Sequence, residues 1–541
     1  MTPRPPAKPA IPSLAIRLVR FVYRVLARSL SFFTGGRIES AQGVTVGMVW
    51  VATAPVLAGC ALVDLIRSGP DVGGLAASAA IVGTGGVMVA RTCTFPRRVG
   101  TVQLFGSLVF GAFAAIFAVM VPHLLTGTAS SFDVALVEAT AAITATNASS
   151  IDPSDMSFGM LLLRAVAQWA AGAAVIVMVV RVLPLLGTGG LDTDGGVATR
   201  AARRLSPRVG GSLGRLLLLY VSLTGLVAIG YAAAGMPFFE SGLHALTTMS
   251  TGGFSTQAGS IGAYSSAAIE WVAIGGMLIG GCSLPLIFLA LRWGEPQRLL
   301  KSLEFRLYLV LVAFASFSIV VWSDSAITVD AVRRAIFAST SAVSTTGFVA
   351  GDWTTLPAGG QMLLVVLMVI GGMSASVAGG FKAVRLVALT GYVRRELTRS
   401  LHTNAVQTVH LGRSSISDPA MSRIVGDTVL SLLVLAAGLV ALAATGLGGG
   451  GVGLTGDSLG ALSTVSFAVS ALSNVGPAFG ALGPTDHLSA LNPLGNVVAA
   501  GLMFVGRVSA TPALVTAGVL LSPIRHRVLH RSRARTTETI R

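Results

Sequence analysis

Charge is what this chain has least of. Of its 541 residues only 11% are Asp, Glu, Lys or Arg, while 53% are apolar and the mean hydropathy is +0.78. A soluble domain carries about a quarter charged residues, so a soluble enzyme or binding module is excluded. Cysteine is nearly absent: Cys60, Cys93 and Cys282 sit in or beside apolar runs and form no disulfide framework. The seven histidines show no metal-ligand spacing, which excludes a zinc or iron centre, and His244 reads as a hydrogen-bonded residue instead. No hydrolase elbow or nucleophile–base pair is present, so the chain is not read as an enzyme. The "GTGG" at 187–190 follows a helix rather than a strand, so it reads as a helix end, and no organic cofactor is expected. Lysine is rare too, with only Lys8, Lys301 and Lys382 against 35 arginines.

What is present is apolar length. Uncharged windows of about 20 residues recur, enough to cross a hydrocarbon core roughly 30 Å thick. The fold class is an all-α polytopic membrane protein. Basic residues gather at 91–98, 200–215, 292–306, 382–399, 413–423 and 525–541. Segments 124–163, 235–268, 323–360 and 447–492 instead hold acids, including Asp133, Glu138, Asp152, Asp155, Glu240, Asp324, Asp352, Asp457 and Asp486. Arg333 and Arg334 are the exceptions. The positive-inside rule places the basic loops and both termini in the cytoplasm. The net charge of +16 is then topology and lipid contact, and no nucleic acid is implied. Arg17, Arg20, Arg24 and Arg28 line one side of a helix that suits an anionic membrane surface, and spans follow at about 43–65 and 74–91.

The four acidic segments share one plan, in which a span leads out, about 12 apolar residues follow, then a Ser/Thr/Gly knot, then a span leads back. The knots read "EATAAITATNA" (138–148), "HALTTMSTGGF" (244–254), "ASTSAVSTTGF" (338–348) and "FAVSALSNVGP" (467–477). Their tenth positions are Asn147, Gly253, Gly347 and Gly476. Four copies about 100 residues apart are an internal repeat. Twelve apolar residues are too few to span, so each stretch reads as a re-entrant helix, and non-helical backbone at that depth must be buried or line a water-filled cavity. Four loops entering from one side can surround a central pore. Glycine at the recurring position permits a positive φ that turns carbonyls inward, and each helix aims its negative dipole end at the same place. Rings of carbonyls select potassium, so the knots read as a cation filter. Its lining is Ala145, Thr146 and Asn147; Thr251, Gly252 and Gly253; Thr345, Thr346 and Gly347; Asn474, Val475 and Gly476.

These residues carry a resemblance. The chain resembles the Trk/Ktr/HKT superfamily of potassium transporters, and more closely its bacterial TrkH branch, over about 40–521. "RAVAQWAAGAAVIVMVVRVLPLLGTGG" (164–190) looks like the first inner helix, "STGGFSTQAGSIG" (250–262) like the second filter loop, "GGMSASVAGGFKAVRLVAL" (371–389) like the interrupted third inner helix, and "GLMFVGR" (501–507) like the last. The resemblance implies four span–pore loop–span repeats around a central pore, plus two N-terminal spans. It further implies potassium uptake across a bacterial plasma membrane, a homodimer, and a cytosolic nucleotide-binding regulatory subunit of the TrkA/KtrA type. It also implies a gate in the third inner helix at Gly379, Gly380 and Lys382, with Arg507 beneath the filter.

The resulting organisation is a basic interfacial segment (1–42), two extra spans (43–92), pore repeats at 101–190, 211–295 and 303–392, a cytosolic linker (393–422), a fourth repeat (423–521) and a basic tail (522–541). Arg507 falls in the middle of an expected span at about 491–521, where a charge is expensive. Asn147 departs from the family's glycine. Asn tolerates positive φ, so the turn is expected to form there with looser carbonyl geometry. In plant HKT members a serine at this position goes with Na⁺ transport, so K⁺ against Na⁺ stays open. A different class also stays open: an ion-coupled secondary transporter using a carboxylate such as Asp64, although helix capping is the plainer role for Asp64 and Glu138.

Overall fold

The computed structural model describes residues 38–96, 99–182, 209–323, 327–402, 408–411, 414–445, 461–483, 488 and 491–521. The basic N-terminal helix, the "GTGG" at 187–190, Asp324, Asp457, Asp486 and the basic tail lie outside these residues. Helices dominate, and the described residues contain only two small two-stranded sheets, 38–39 with 93–94 and 409–411 with 414–416. Among the described residues, seven helices are long and apolar enough to cross a membrane, or nine when two sharply bent pairs count as one span each.

Two helices come first, α1 (Ala41–Ile66) and α2 (Val72–Thr92). They lie close because small residues meet: a methyl on Gly47 would press on the backbone of Ala90, and one on Gly86 on that of Val51. Asp64, fully buried near the end of α1, accepts hydrogen bonds from Asp71 N (2.9 Å) and Gly159 N (3.1 Å). It closes the α1–α2 turn and caps the free N–H groups at the start of a later helix, which are otherwise without partners. The capping role expected from the sequence is the one observed.

A fourfold order of elements follows. The long helices α3 (Thr101–Thr126), α6 (Val209–Ala233), α11 (Leu303–Trp322) and α15 (Asp418–Ala444) each precede a short helix. The short ones are α4 (Phe132–Thr144), α7 (Phe238–Met249), α12 (Val329–Val343) and α16 (Ala461–Ser473), 12 to 15 residues each, too short to span. The returning helix is continuous only once, as α5 (Phe158–Val177). The second return is α8 (Ala267–Gly280) and α9 (Leu284–Arg292), bent by 97°; the short α10 (Gln297–Lys301) then leads into α11. The third is α13 (Ala358–Ile370) and α14 (Ala383–Leu401), separated by twelve non-helical residues. The fourth is α17 (Pro493–Val508) and α18 (Ala510–Leu521), bent by 111°. This last break corrects the expected continuous span: Ser509 adopts φ 74°, so Arg507 sits at a helix end rather than in mid-span.

Two buried arginines are paired with carboxylates. Arg333, an exception to the charge rule, bonds Glu270 (2.7 Å) and Asp330 (2.5 Å), joining α12 to α8. Arg164 lies 3.6 Å from Glu138, whose other oxygen accepts from Ser149 Oγ and Ser150 N at 2.7 Å each. Neutralisation inside the fold removes Arg333 from the topological charge count. Asp64→Ala leaves two buried N–H groups unpaired, at about 1–3 kcal/mol each. Thermal unfolding of the detergent-solubilised variant is expected to begin several degrees lower, and Asp64→Asn, whose carbonyl can still accept one of the two bonds, to lie between.

Candidate functional site

Each of the four short helices ends in the same turn. A left-handed residue closes it: Ala145 (φ 51°), Thr251 (52°), Thr345 (57°) and Asn474 (58°). The next N–H reaches back five residues, Thr146 to Ala141 O (2.9 Å), Gly252 to Thr247 O (2.8 Å), Thr346 to Ser341 O (3.0 Å) and Val475 to Ser470 O (2.9 Å). This is the hydrogen bond of a Schellman helix end, which satisfies carbonyls the helix leaves free. It is closed here by an alanine, two threonines and an asparagine where glycine is usual, a strain of about 1–2 kcal/mol per residue, and such strain gathers at functional sites. At the tenth position, Gly253 (φ 75°), Gly347 (76°) and Gly476 (112°) are left-handed, but Asn147 is not. The expected positive φ at Asn147 is therefore corrected.

The four turns touch in cyclic order. A methyl on Gly253 would collide with Thr346 O, one on Gly347 with Val475 O, and one on Gly476 with Asn147 O. First and second turns are joined by Gln168, fully buried on α5, whose Nε2 donates to Gly252 O (2.8 Å) and Thr146 O (3.3 Å) while its Oε1 accepts from Phe254 N (3.2 Å). Asn474 donates to Thr146 Oγ1 (3.1 Å) and Met503 O (2.8 Å), joining first and fourth. His244, as read from the sequence, is hydrogen-bonded, to Glu240 O (2.9 Å) and Ser255 Oγ (3.0 Å).

The non-helical segment 371–382 lies directly against these turns. Gly379 N donates to Thr345 Oγ1 (2.6 Å) and Gly380 N to Ser473 O (3.0 Å). A Cβ on Gly379 would strike Ser473 O, and φ is positive at Gly371 (69°), Gly380 (71°) and Lys382 (75°). Several of the segment's other backbone groups find partners outside it. Met373 N donates to Gly281 O (3.0 Å), Ser374 N to the Glu304 carboxylate, and Phe381 N to Val369 O (2.9 Å). Arg507 Nη1 donates to Val377 O (3.0 Å), and Lys382 Nζ to Ala378 O. Beside the segment, a cavity of about 80 Å³ is bounded by Gly380, Phe381, Arg385, Asp427, Gly506 and Ser509.

The residues read from the sequence thus converge, with Thr345 touching Gly379 and Arg507 reaching the interrupted segment. Sequence reasoning missed Gln168, Glu304 and Gly281. Only Gln168 left a trace, as a lone uncharged polar residue one turn after Arg164 in an apolar run.

The chain compares with known proteins as follows. Residues 107–523 match the family model TrkH, described as a cation transport protein. The Trk system potassium uptake protein TrkH of Halomonas elongata is 30% identical, covering 82% of this chain and 89% of that protein. The TrkI protein of the same organism is 27% identical over 88% of this chain and 95% of its own length. Among solved structures, the potassium transporter TrkH from Vibrio parahaemolyticus superposes with a TM-score of 0.78 at 26% identity, covering 88% of this chain and 97% of that one. A helical membrane protein with these turns, matched by that model over most of its length, belongs to the TrkH family of cation transport proteins.

Proposed function

We propose that this chain is the membrane subunit of a Trk-type system that takes up K⁺ by a channel-like route, selected by the four turns and gated by segment 371–382. The observation that carries the reading is the fourfold turn itself. Backbone leaves the helix at four equivalent places, in contact with one another, inside an apolar protein. Such backbone is tolerated when buried or lining a water-filled path, and carbonyls arranged this way replace the hydration shell of a cation. The names of the relatives supply the ion. The filter then comprises 145–147, 251–253, 345–347 and 474–476.

The gate assignment rests on contact. Gly379 and Gly380 bond to residues of two turns, so the segment stands where an ion leaving the filter would pass. Arg507 and Lys382 hold it through Val377 and Ala378 carbonyls, and a guanidinium there adds an electrostatic barrier to a cation. Ion-coupled transport through Asp64 is disfavoured because that carboxylate is committed to two backbone N–H groups. The charge pattern supports both termini inside, and the family supports a bacterial plasma membrane and a homodimer working with a nucleotide-binding cytosolic subunit of the TrkA/KtrA type.

The direct test is growth rescue of a potassium-uptake-deficient bacterium at low K⁺; failure of a well-expressed chain to rescue rules the reading out. Two site predictions follow. Gly347→Ser places a side chain on a left-handed residue and against Val475 O, at about 1–2 kcal/mol of backbone strain. It is expected to lower K⁺ over Na⁺ selection severalfold without preventing folding, measured by paired ⁸⁶Rb⁺ and ²²Na⁺ uptake into liposomes. Arg507→Ala, and separately shortening of 374–378, are expected to raise Rb⁺ flux at equal protein content. Unchanged or lower flux in both counts against a gate at this segment.

A further inference from the structure

Asn147 differs from its three glycine counterparts in more than φ. At Gly253 and Gly347 the N–H points back toward the preceding short helix, to Thr247 O and Ser341 O, and at Gly476 to Ser470 Oγ (2.9 Å). Asn147 N instead donates to Val475 O of the fourth turn at 3.0 Å. Its N–H faces the neighbouring turn instead of its own helix. The contact on Gly476 reports the same change. Gly253 and Gly347 each abut the carbonyl of the residue before the next turn's glycine, whereas Gly476 abuts the carbonyl of Asn147 itself.

The side chain goes further. Asn147 Nδ2 donates to Gly347 O at 2.7 Å. The turns touch in the order first, second, third, fourth, first, so this bond joins two that are not neighbours and crosses the space between them. Asn147 Cβ lies 2.8 and 3.0 Å from where side chains would start on Gly253 and Gly347, so the glycines leave the room it fills. One residue therefore turns two N–H donors on carbonyls of two other turns. An N–H at hydrogen-bond distance carries partial positive charge and occupies a lone pair that a cation would use.

We infer that Asn147 self-ligates the outer part of the filter: its backbone and side-chain N–H groups stand in for a cation on the Val475 and Gly347 carbonyls, and K⁺ binds at this level by displacing them. The inference rests on the reading of these turns as a potassium filter. It makes Asn147 a specificity-determining residue through competition for carbonyl oxygens. Raised external K⁺ favours the displaced state by mass action, so the filter opens as its substrate accumulates.

The test is K⁺-dependent thermal stabilisation of the purified full chain, with choline as control cation, for wild type, Asn147→Ala, Asn147→Ser and Asn147→Gly. Ala and Ser remove the reaching donor, and Gly also permits the peptide to turn back. The K⁺ concentration at half stabilisation is expected to fall in the order wild type, Ala and Ser, then Gly, by about tenfold overall, equivalent to about 1.4 kcal/mol. Ala and Ser carry the result if Gly does not purify. Equal midpoints, or a rise, overturn the inference. Rb⁺ uptake by the same proteins in liposomes separates the two levels. Uptake by wild type with equal midpoints removes the inference alone, while no uptake by any variant removes the potassium-filter reading together with it.

Discussion

Backbone that leaves a helix inside an apolar slab must find partners for every N–H and C=O it exposes, because lipid offers none. This constraint organises the molecule. Four helix ends are closed by their own i to i−5 bonds, which makes the turns self-sufficient on one side. On the other side, the carbonyls of Thr346, Val475 and Asn147 abut glycines of adjacent turns. The interrupted segment 371–382 meets the same demand differently, by borrowing partners from four other parts of the chain: Gly281, Glu304, Thr345 and Ser473. Its conformation depends on those neighbours, whereas the turns depend mainly on themselves.

Buried charge obeys the same logic. Arg164 with Glu138 and Arg333 with Glu270 are paired behind the turns, and Glu138 also accepts from Ser149 and Ser150, so the first loop is held by a carboxylate rather than by apolar packing alone. Removing one partner of such a pair leaves a charge stranded, which costs more than the pair contributes. On the outer rim Tyr264 donates to Glu240. Burial there pushes the phenol above its ordinary range, keeping the proton on the ring oxygen.

Much of this was legible in the sequence because hydrophobic length and loop charge are one-dimensional signals. The short helices follow from counting residues against a bilayer, the glycines at 253, 347 and 476 from aligning the four copies, and the break beginning at Gly371 from the family resemblance. Three features were not legible. Asn147 was expected to copy the glycine backbone, yet its amide finds a carbonyl 200 positions away and the peptide follows it. The kink at Ser509 was signalled only by Pro512, three residues on in the first turn of α18, and by Gly506, and both residue types are tolerated inside continuous membrane helices. Arg333 looked like an error in the charge pattern because its partner Glu270 lies 63 residues away. In each case a long-range polar contact or a tertiary bend overrides a local preference.

One arrangement at the inner ends of the helices has a mechanical meaning. Arg385, one turn into α14, bonds Asp427 of α15 at 2.7 Å, and the same carboxylate accepts from Thr511 of α18 at 2.8 Å. Arg385 stands three residues after Lys382, and Thr511 two after the bend at Ser509. A displacement of the basic helix α14 thus arrives at the third and fourth interrupted helices together, through a linkage with no slack between them. The two breaks are tied through one carboxylate, so neither helix can shift without disturbing the bond that holds the other.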